Sequence, residues 1–109
     1  MIYFDSQPVF ALHEDSITLV DGTIITGLHA PELLSDDRDG QEIFAARLAL
    51  IRKKRNRLLT ECDWTQLPDT ALSSSRRQAW QSYRQALRDL PDDLTQTNID
   101  QLIWPSAPE

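Results

Sequence analysis

The sequence predicts an α+β protein: a small N-terminal antiparallel β-meander packed on a C-terminal antiparallel helical hairpin, closed by an extended Pro-rich tail. Three observations predict it. Short apolar runs separated by turn formers fill residues 1–40, a helical apolar period takes over at Gln41, and beyond Pro91 the chain is mostly polar and ends Pro105-Ser106-Ala107-Pro108-Glu109. The regions are therefore 1–40, 41–91 and 92–109.

Ile2, Tyr3 and Phe4 form a first strand and Val9 to Leu12 a second, joined by a turn at Asp5-Ser6-Gln7-Pro8. Residues 17–20 and 23–26 flank Asp21-Gly22, a strong hairpin signal because its tight form needs φ > 0 at both central positions. Two strands alone are marginal, so the sheet must lay an apolar face on something else. Ala30-Pro31-Glu32-Leu33-Leu34 reads as one helical turn with Pro31 first, before a loop over residues 35–40.

No Gly or Pro interrupts residues 41–60, which predicts about five turns or ~30 Å of helix. Phe44, Leu48, Ile51, Leu58 and Cys62 make its apolar stripe, running through Arg55, while Arg47, Arg52, Lys53, Lys54 and Arg57 crowd the other side. Residues 63–69 break the pattern. One of Ser73, Ser74 and Ser75 caps a second helix that ends at Pro91, with Ala79, Trp80, Tyr83, Ala86, Leu87 and Leu90 on its apolar face. The seam between the helices is expected to hold Leu48, Ile51, Leu58, Trp80, Tyr83 and Leu87. Arg55, interrupting the stripe, is expected to pair with Asp63 or Asp69, because an unpaired buried charge is costly.

A chain of 109 residues holds one small domain, or a domain and an arm. No apolar run approaches the ~20 residues of a membrane span. The N-terminal residues lack a secretory pattern and the single Cys62 cannot close an internal disulfide, so a reducing cytoplasm is expected. The net charge of -6 is blocked along the chain: -8 over residues 1–46, +7 over 47–88 and -5 over 89–109. Acidic ends that fold back on the basic middle satisfy this pattern, and so does a middle that meets an acidic partner.

Searches for chemistry mostly fail. One Cys and two His are too few for a zinc site, and there is no glycine-rich phosphate loop. The run Ser35-Asp36-Asp37-Arg38-Asp39-Gly40 resembles a calcium loop, but Ser35 takes its first ligand position and Ala46 the place of the bidentate Glu. A turn whose Asp39 and Glu42 favour the positive end of the following helix explains it better. Cys62 lies at a helix C-terminus beside acids, which suits a small core residue and not a nucleophile, and spacing gives His13 and His29 no partner for acid–base work. No catalytic residue, metal, cofactor or small-molecule substrate is therefore expected. A pI near 4.8 and aromatics needed for packing argue against a nucleic-acid module.

Three elements in order carry a resemblance: Asp63-Trp64 within residues 57–69, then Trp80-x-x-Tyr83-Arg84-x-x-Leu87-Arg88-Asp89-Leu90-Pro91, then Trp104-Pro105. Over roughly residues 41–109 the chain resembles the phage tail assembly chaperone family, found in tailed phages and prophages beside or fused to tail-fibre genes. The N-terminal third, with His29 to Leu34 before Gly40, is similar to the small sheet-bearing leader of some members. Cys62 departs from the commoner Thr or Ser, at a position that reads as packing. The resemblance implies a non-enzymatic protein that binds a tail-fibre or other tail subunit in the host cytoplasm during its folding and assembly. On that reading Trp64 and Trp104, with Pro105, are aromatic anchors, and Arg84 and Arg88 contact acidic or carbonyl groups of the client. Two other classes fit the same surfaces: a structural component that stays in the virion tail, and a host-directed regulator.

Overall fold

Five short strands, β1 (Ile2–Phe4), β2 (Gln7–Leu12), β3 (Ser16–Leu19), β4 (Ile24–Thr26) and β5 (Leu34–Asp36), form an antiparallel sheet in the order β4-β3-β2-β1-β5. The computed structural model describes residues 1–26 and 33–108. Two helices follow the sheet, α1 (Gln41–Glu61) and α2 (Ser74–Asp89), so the α+β layout stands. The chain divides into two compact units, Met1–Leu50 and Ile51–Glu109. Among the described residues no helix is long and apolar enough to cross a membrane.

In the first unit, alternation along the strands buries Val9, Ile17 and Leu19, with Ile2, Phe4, Leu12, Ile25 and Leu34 packed around them. Ile17 is fully buried, and truncating it to Ala would cost about 2–5 kcal/mol. Register follows from this face: Val9 opposes Leu19, Leu12 opposes Ile17 and Ile17 opposes Ile25. Between Val9 and Ala11 the register slips, so Phe10 is the extra residue of a bulge, and its ring is 77% exposed.

The two hairpin turns exchange the geometries expected of them. Phe4 faces Gln7 across Asp5 and Ser6, which have φ of 48° and 67°, so this two-residue turn has both central positions left-handed without a glycine. At Asp21-Gly22 only Gly22 is left-handed, with φ of 93°. Its N–H donates to the Leu19 carbonyl at 3.0 Å, and Leu19 N–H donates to the Thr23 carbonyl at 2.8 Å, which makes a longer connection. Asp21 Oδ1 accepts the Thr23 N–H at 2.9 Å, and that bond holds its carboxyl below the usual value.

The helical turn expected over residues 30–34 lies outside the described residues up to Glu32, and its end is strand. Leu34 pairs with Phe4, Ser35 with Tyr3 and Asp36 with Ile2, so part of the expected loop is β5. Asp36 rather than Asp39 then serves the start of α1. Its Oδ1 accepts the N–H groups of Arg38 and Gly40, each at 2.8 Å, and its Oδ2 accepts that of Ile43 at 2.9 Å. Burial alone would raise this carboxyl, but the backbone donors outweigh it and hold it below 3.8. Asp39 and Gly40 are both left-handed, φ 54° and 87°, where the chain turns into the helix.

The second unit is built on Cys62, Tyr83 and Leu87, with Leu58, Leu59, Trp80 and Trp104 against them. Cys62 is thus a core residue. Of the expected seam, Leu58, Trp80, Tyr83 and Leu87 come together in this cluster, joined by Leu59, while Leu48 belongs to the first unit, and no residue of α1 is fully buried. The cations at 52–55 and 57 leave too little apolar surface for burial until the last turn. Ser73 caps α2, its hydroxyl accepting Arg76 N–H at 3.3 Å, and Pro91 begins a 3₁₀ turn over Leu90–Asp93.

Candidate functional site

The residues singled out for partner binding all lie in the second unit, but they do different work there. Trp64 stands on a 3₁₀ turn (Asp63–Gln66) between the helices. Thr65, fully buried, fastens this turn by donating its hydroxyl to the Cys62 carbonyl at 2.6 Å, and Thr70 donates to the Trp64 carbonyl at 2.8 Å. The Trp64 ring meets Trp80 edge-on, with centroids 5.8 Å apart at 63°, and Trp80 meets Tyr83 in the same manner at 5.7 Å and 79°. This ladder leads from the surface to the core: Trp64 is 49% exposed, Trp80 half-buried and Tyr83 buried, with burial pushing the Tyr83 phenol up. Leu67 is also exposed beside the same turn.

Trp104 comes from the C-terminal segment and packs against the cluster of Cys62, Tyr83 and Leu87. The Lys54 ammonium lies 4.5 Å from its ring centroid, so a cation from the basic side of α1 covers an aromatic face. Trp104 and Pro105 are each half-buried, whereas Ile103 between Leu102 and Trp104 is 85% exposed.

Arg84 is not a surface contact. It is buried, and its Nη1 donates to the Leu59 carbonyl at 2.9 Å and to Cys62 Sγ at 3.1 Å, while Nη2 pairs with Asp63 Oδ1 at 3.0 Å. Burial works against its charge, but the sulfur and the carboxylate outweigh it and hold the guanidinium protonated. Leu59 is among the last residues of α1, whose final turn carries no base of its own, so Arg84 supplies the cation and donor which that helix end lacks. The pairing expected of Arg55 with Asp63 belongs to Arg84 instead. Arg55 Nε donates to Asn56 Oδ1 at 3.1 Å, because α1 keeps Arg55 only half-buried and gives it a polar neighbour. Arg88, one turn beyond Arg84, is exposed in the last turn of α2.

Trp64, Leu67, Ile103, Arg88 and part of Trp104 are therefore left in solvent. Sequence reading did not single out Leu67 or Ile103; Ile99, Leu102 and Ile103 lie close in sequence, yet Ile99 is buried, Leu102 half-buried and Ile103 exposed. In the first unit an open cleft of about 350 Å³ is lined by Ile2, Phe10, Leu12, Glu42 and Ala46 among others. Its carboxylate, Glu42, is held by the Met1 amine at 2.6 Å. His13 is exposed and shares a 3.2 Å hydrogen bond with Thr18, and His29 lies outside the described residues. Among the described residues no group of three or more His, Cys, Asp or Glu is placed to hold a metal ion.

A family model described as phage tail assembly chaperone protein matches residues 48–109, more than half of the chain. The solution structure of a protein from Chromobacterium violaceum is 34% identical over 90% of this chain and 100% of its own, with a TM-score of 0.48. Among curated proteins none matches.

Proposed function

Since the chain belongs to the phage tail assembly chaperone family and has its role in phage tail assembly, we propose that it is a non-enzymatic binder of a tail-fibre or other tail subunit. It acts in the host cytoplasm while that subunit folds and associates. A fibre chain exposes apolar surface and unpaired strand edges before its copies meet, and a small protein that covers them suppresses misassembly. The observation that supports this most is Trp64. Its turn is pinned by Thr65 and Thr70, and its ring rests on Trp80 while half of it stays in solvent. An aromatic held in one orientation loses little freedom on binding, which suits an anchor. Leu67, and Trp104 with Pro105, extend the apolar contact, and Arg88 supplies a charged donor at its margin.

The test is co-expression with the tail-fibre protein of the same phage or prophage, followed by affinity purification and size-exclusion chromatography with light scattering. A soluble fibre oligomer obtained only in the presence of this chain and released free of it supports the proposal. A complex that persists at fixed stoichiometry into purified particles replaces it with a structural tail component. Absence of any interaction overturns it and leaves the host-directed regulator.

A further inference from the structure

The open cleft of the first unit takes no part in the client surface described above. Consecutive residues of β2, Val9 to Leu12, line it along about 10 Å of strand, and Ile2 and Ala46 belong to the same lining. Its aromatic member, Phe10, is the bulged residue. A bulge re-aims the side chain it carries, and this one leaves a phenyl ring 77% exposed at a cleft whose other β2 residues are buried or half-buried. The cleft is also negative. Glu42 is part of the lining, and the Met1 ammonium bridges it, at 2.6 Å, to Asp37, at 3.0 Å. One ammonium between two carboxylates leaves a net negative charge, and a carboxylate accepts several hydrogen bonds, so Asp37, 62% exposed, keeps capacity for a second cation. Asp36 is not available in this way, being committed to the start of α1. The side chains of residues 1–46, which supply the whole lining, sum to -8.

We propose that this cleft is a docking site for an extended segment of a partner protein in which a Lys or Arg stands beside an aliphatic residue. The aliphatic side chain packs on Phe10 and Leu12, and the cation meets Asp37 and Glu42. A volume of about 350 Å³ lies at the small end of binding clefts, roughly 300–1,000 Å³, which suits a few residues of chain and not a folded surface. Fatty acids, phosphates and nucleic acids are repelled by the surrounding charge. A polyamine satisfies the carboxylates but leaves the apolar lining in water, so the occupant needs both characters in one molecule. The proposal is independent of the client-binding reading, because every residue it uses precedes the stretch 48–109 that matches the family model.

The experiment titrates the full chain with a short peptide alternating Leu and Lys, with its counterpart alternating Leu and Glu, and with spermidine, at about 50 and about 500 mM salt, where screening lengths fall from roughly 14 to 4 Å. All three tryptophans lie in the second unit, so binding is read by calorimetry and by amide chemical shifts. The Leu–Lys peptide is expected to bind, to shift residues 9–12, 42 and 46, and to bind roughly tenfold more tightly than either alternative. Phe10→Ser should weaken it roughly tenfold at both salt concentrations, and Asp37→Asn severalfold at low salt with the difference shrinking at high salt. Both positions are exposed, and circular dichroism checks that each variant folds. Equal binding of the Leu–Glu peptide or of spermidine overturns the proposal, as does no peptide binding, a set of shifts confined to residues 51–108, or wild-type affinity in both variants. A second copy seated in the cleft overturns it too, and shows as a concentration-dependent mass in light scattering that Phe10→Ser abolishes.

Discussion

Removing Arg84 separates a structural role from a client-binding one. In Arg84→Ala the Leu59 carbonyl loses its charged donor at 2.9 Å and Cys62 Sγ loses a partner at 3.1 Å. A hydrogen bond to a charged group contributes about 1.5–3 kcal/mol, and the space left by the buried stem adds to the loss. Asp63 adds little, because its carboxylate is 64% exposed and water replaces the guanidinium there, which limits that pair to about 1 kcal/mol or less. The expected destabilisation is therefore about 2–4 kcal/mol, a fall in Tm of roughly 10–20 °C for a unit of this size. Arg84→Met, which refills the volume, should recover about 1 kcal/mol of it, and Asp63→Asn should cost under about 1 kcal/mol. Urea unfolding followed by tryptophan fluorescence, with Tm from circular dichroism, measures all three. If Arg84→Ala unfolds within about 0.5 kcal/mol of wild type yet loses the client, Arg84 faces the partner and the packing assigned to it is wrong. Equal losses for Arg84→Ala and Asp63→Asn would refute the asymmetry between buried and exposed partner.

Three further outcomes are expected. Trp104→Ala should cost about 1–3 kcal/mol in a urea melt, since the ring borders the core cluster, whereas Trp64→Ala should cost about 1 kcal/mol or less and show its larger effect in client capture. Ser6→Gly should stabilise by roughly 1 kcal/mol by relieving a left-handed backbone at φ 67°, and Gly22→Ala should destabilise by a similar amount through backbone strain alone, because nothing lies within 4 Å of the added methyl. Asp36 titrates below 3.8 in the folded chain, so its contribution is complete above that value and is lost as pH falls through the lower folded value. The urea midpoint of wild type should therefore drop more steeply below pH 3.8 than that of Asp36→Asn, and parallel curves would refute the cap.

Local signals carried much of this fold, and pairings distant in sequence carried the rest. The strands at Ile2, Val9 and Ile17, the uninterrupted run of α1, the serine cap of α2 and its stop at Pro91 all follow from neighbours within a few residues. β5 does not: Leu34-Ser35-Asp36 holds a single apolar residue and becomes strand only because β1, some thirty residues earlier, offers it a ladder. The turns were misassigned for a related reason. Asp21-Gly22 is a stronger left-handed signal than Asp5-Ser6, yet Phe4 pairing with Gln7 forces the tight turn on the latter. At the candidate site, Trp64 and Trp104 were legible as aromatics in non-helical segments. Arg84 was not legible as internal, since nothing in its spacing reveals the carbonyl of Leu59 or the sulfur of Cys62 across the unit. Arg55 misled because it sits on the apolar stripe, and a stripe shows which side a residue occupies without showing how far that side is covered.

Both ends of α1 are served from outside the helix, the first turn by the carboxylate of Asp36 and the last by the guanidinium of Arg84. The residues between those ends are thereby released from holding the helix together. Arg52 and Lys53, both exposed, can carry other charges or none, whereas Lys54 keeps its place over Trp104. A designer can therefore alter these exposed side chains without touching the bonds that close either end of the helix.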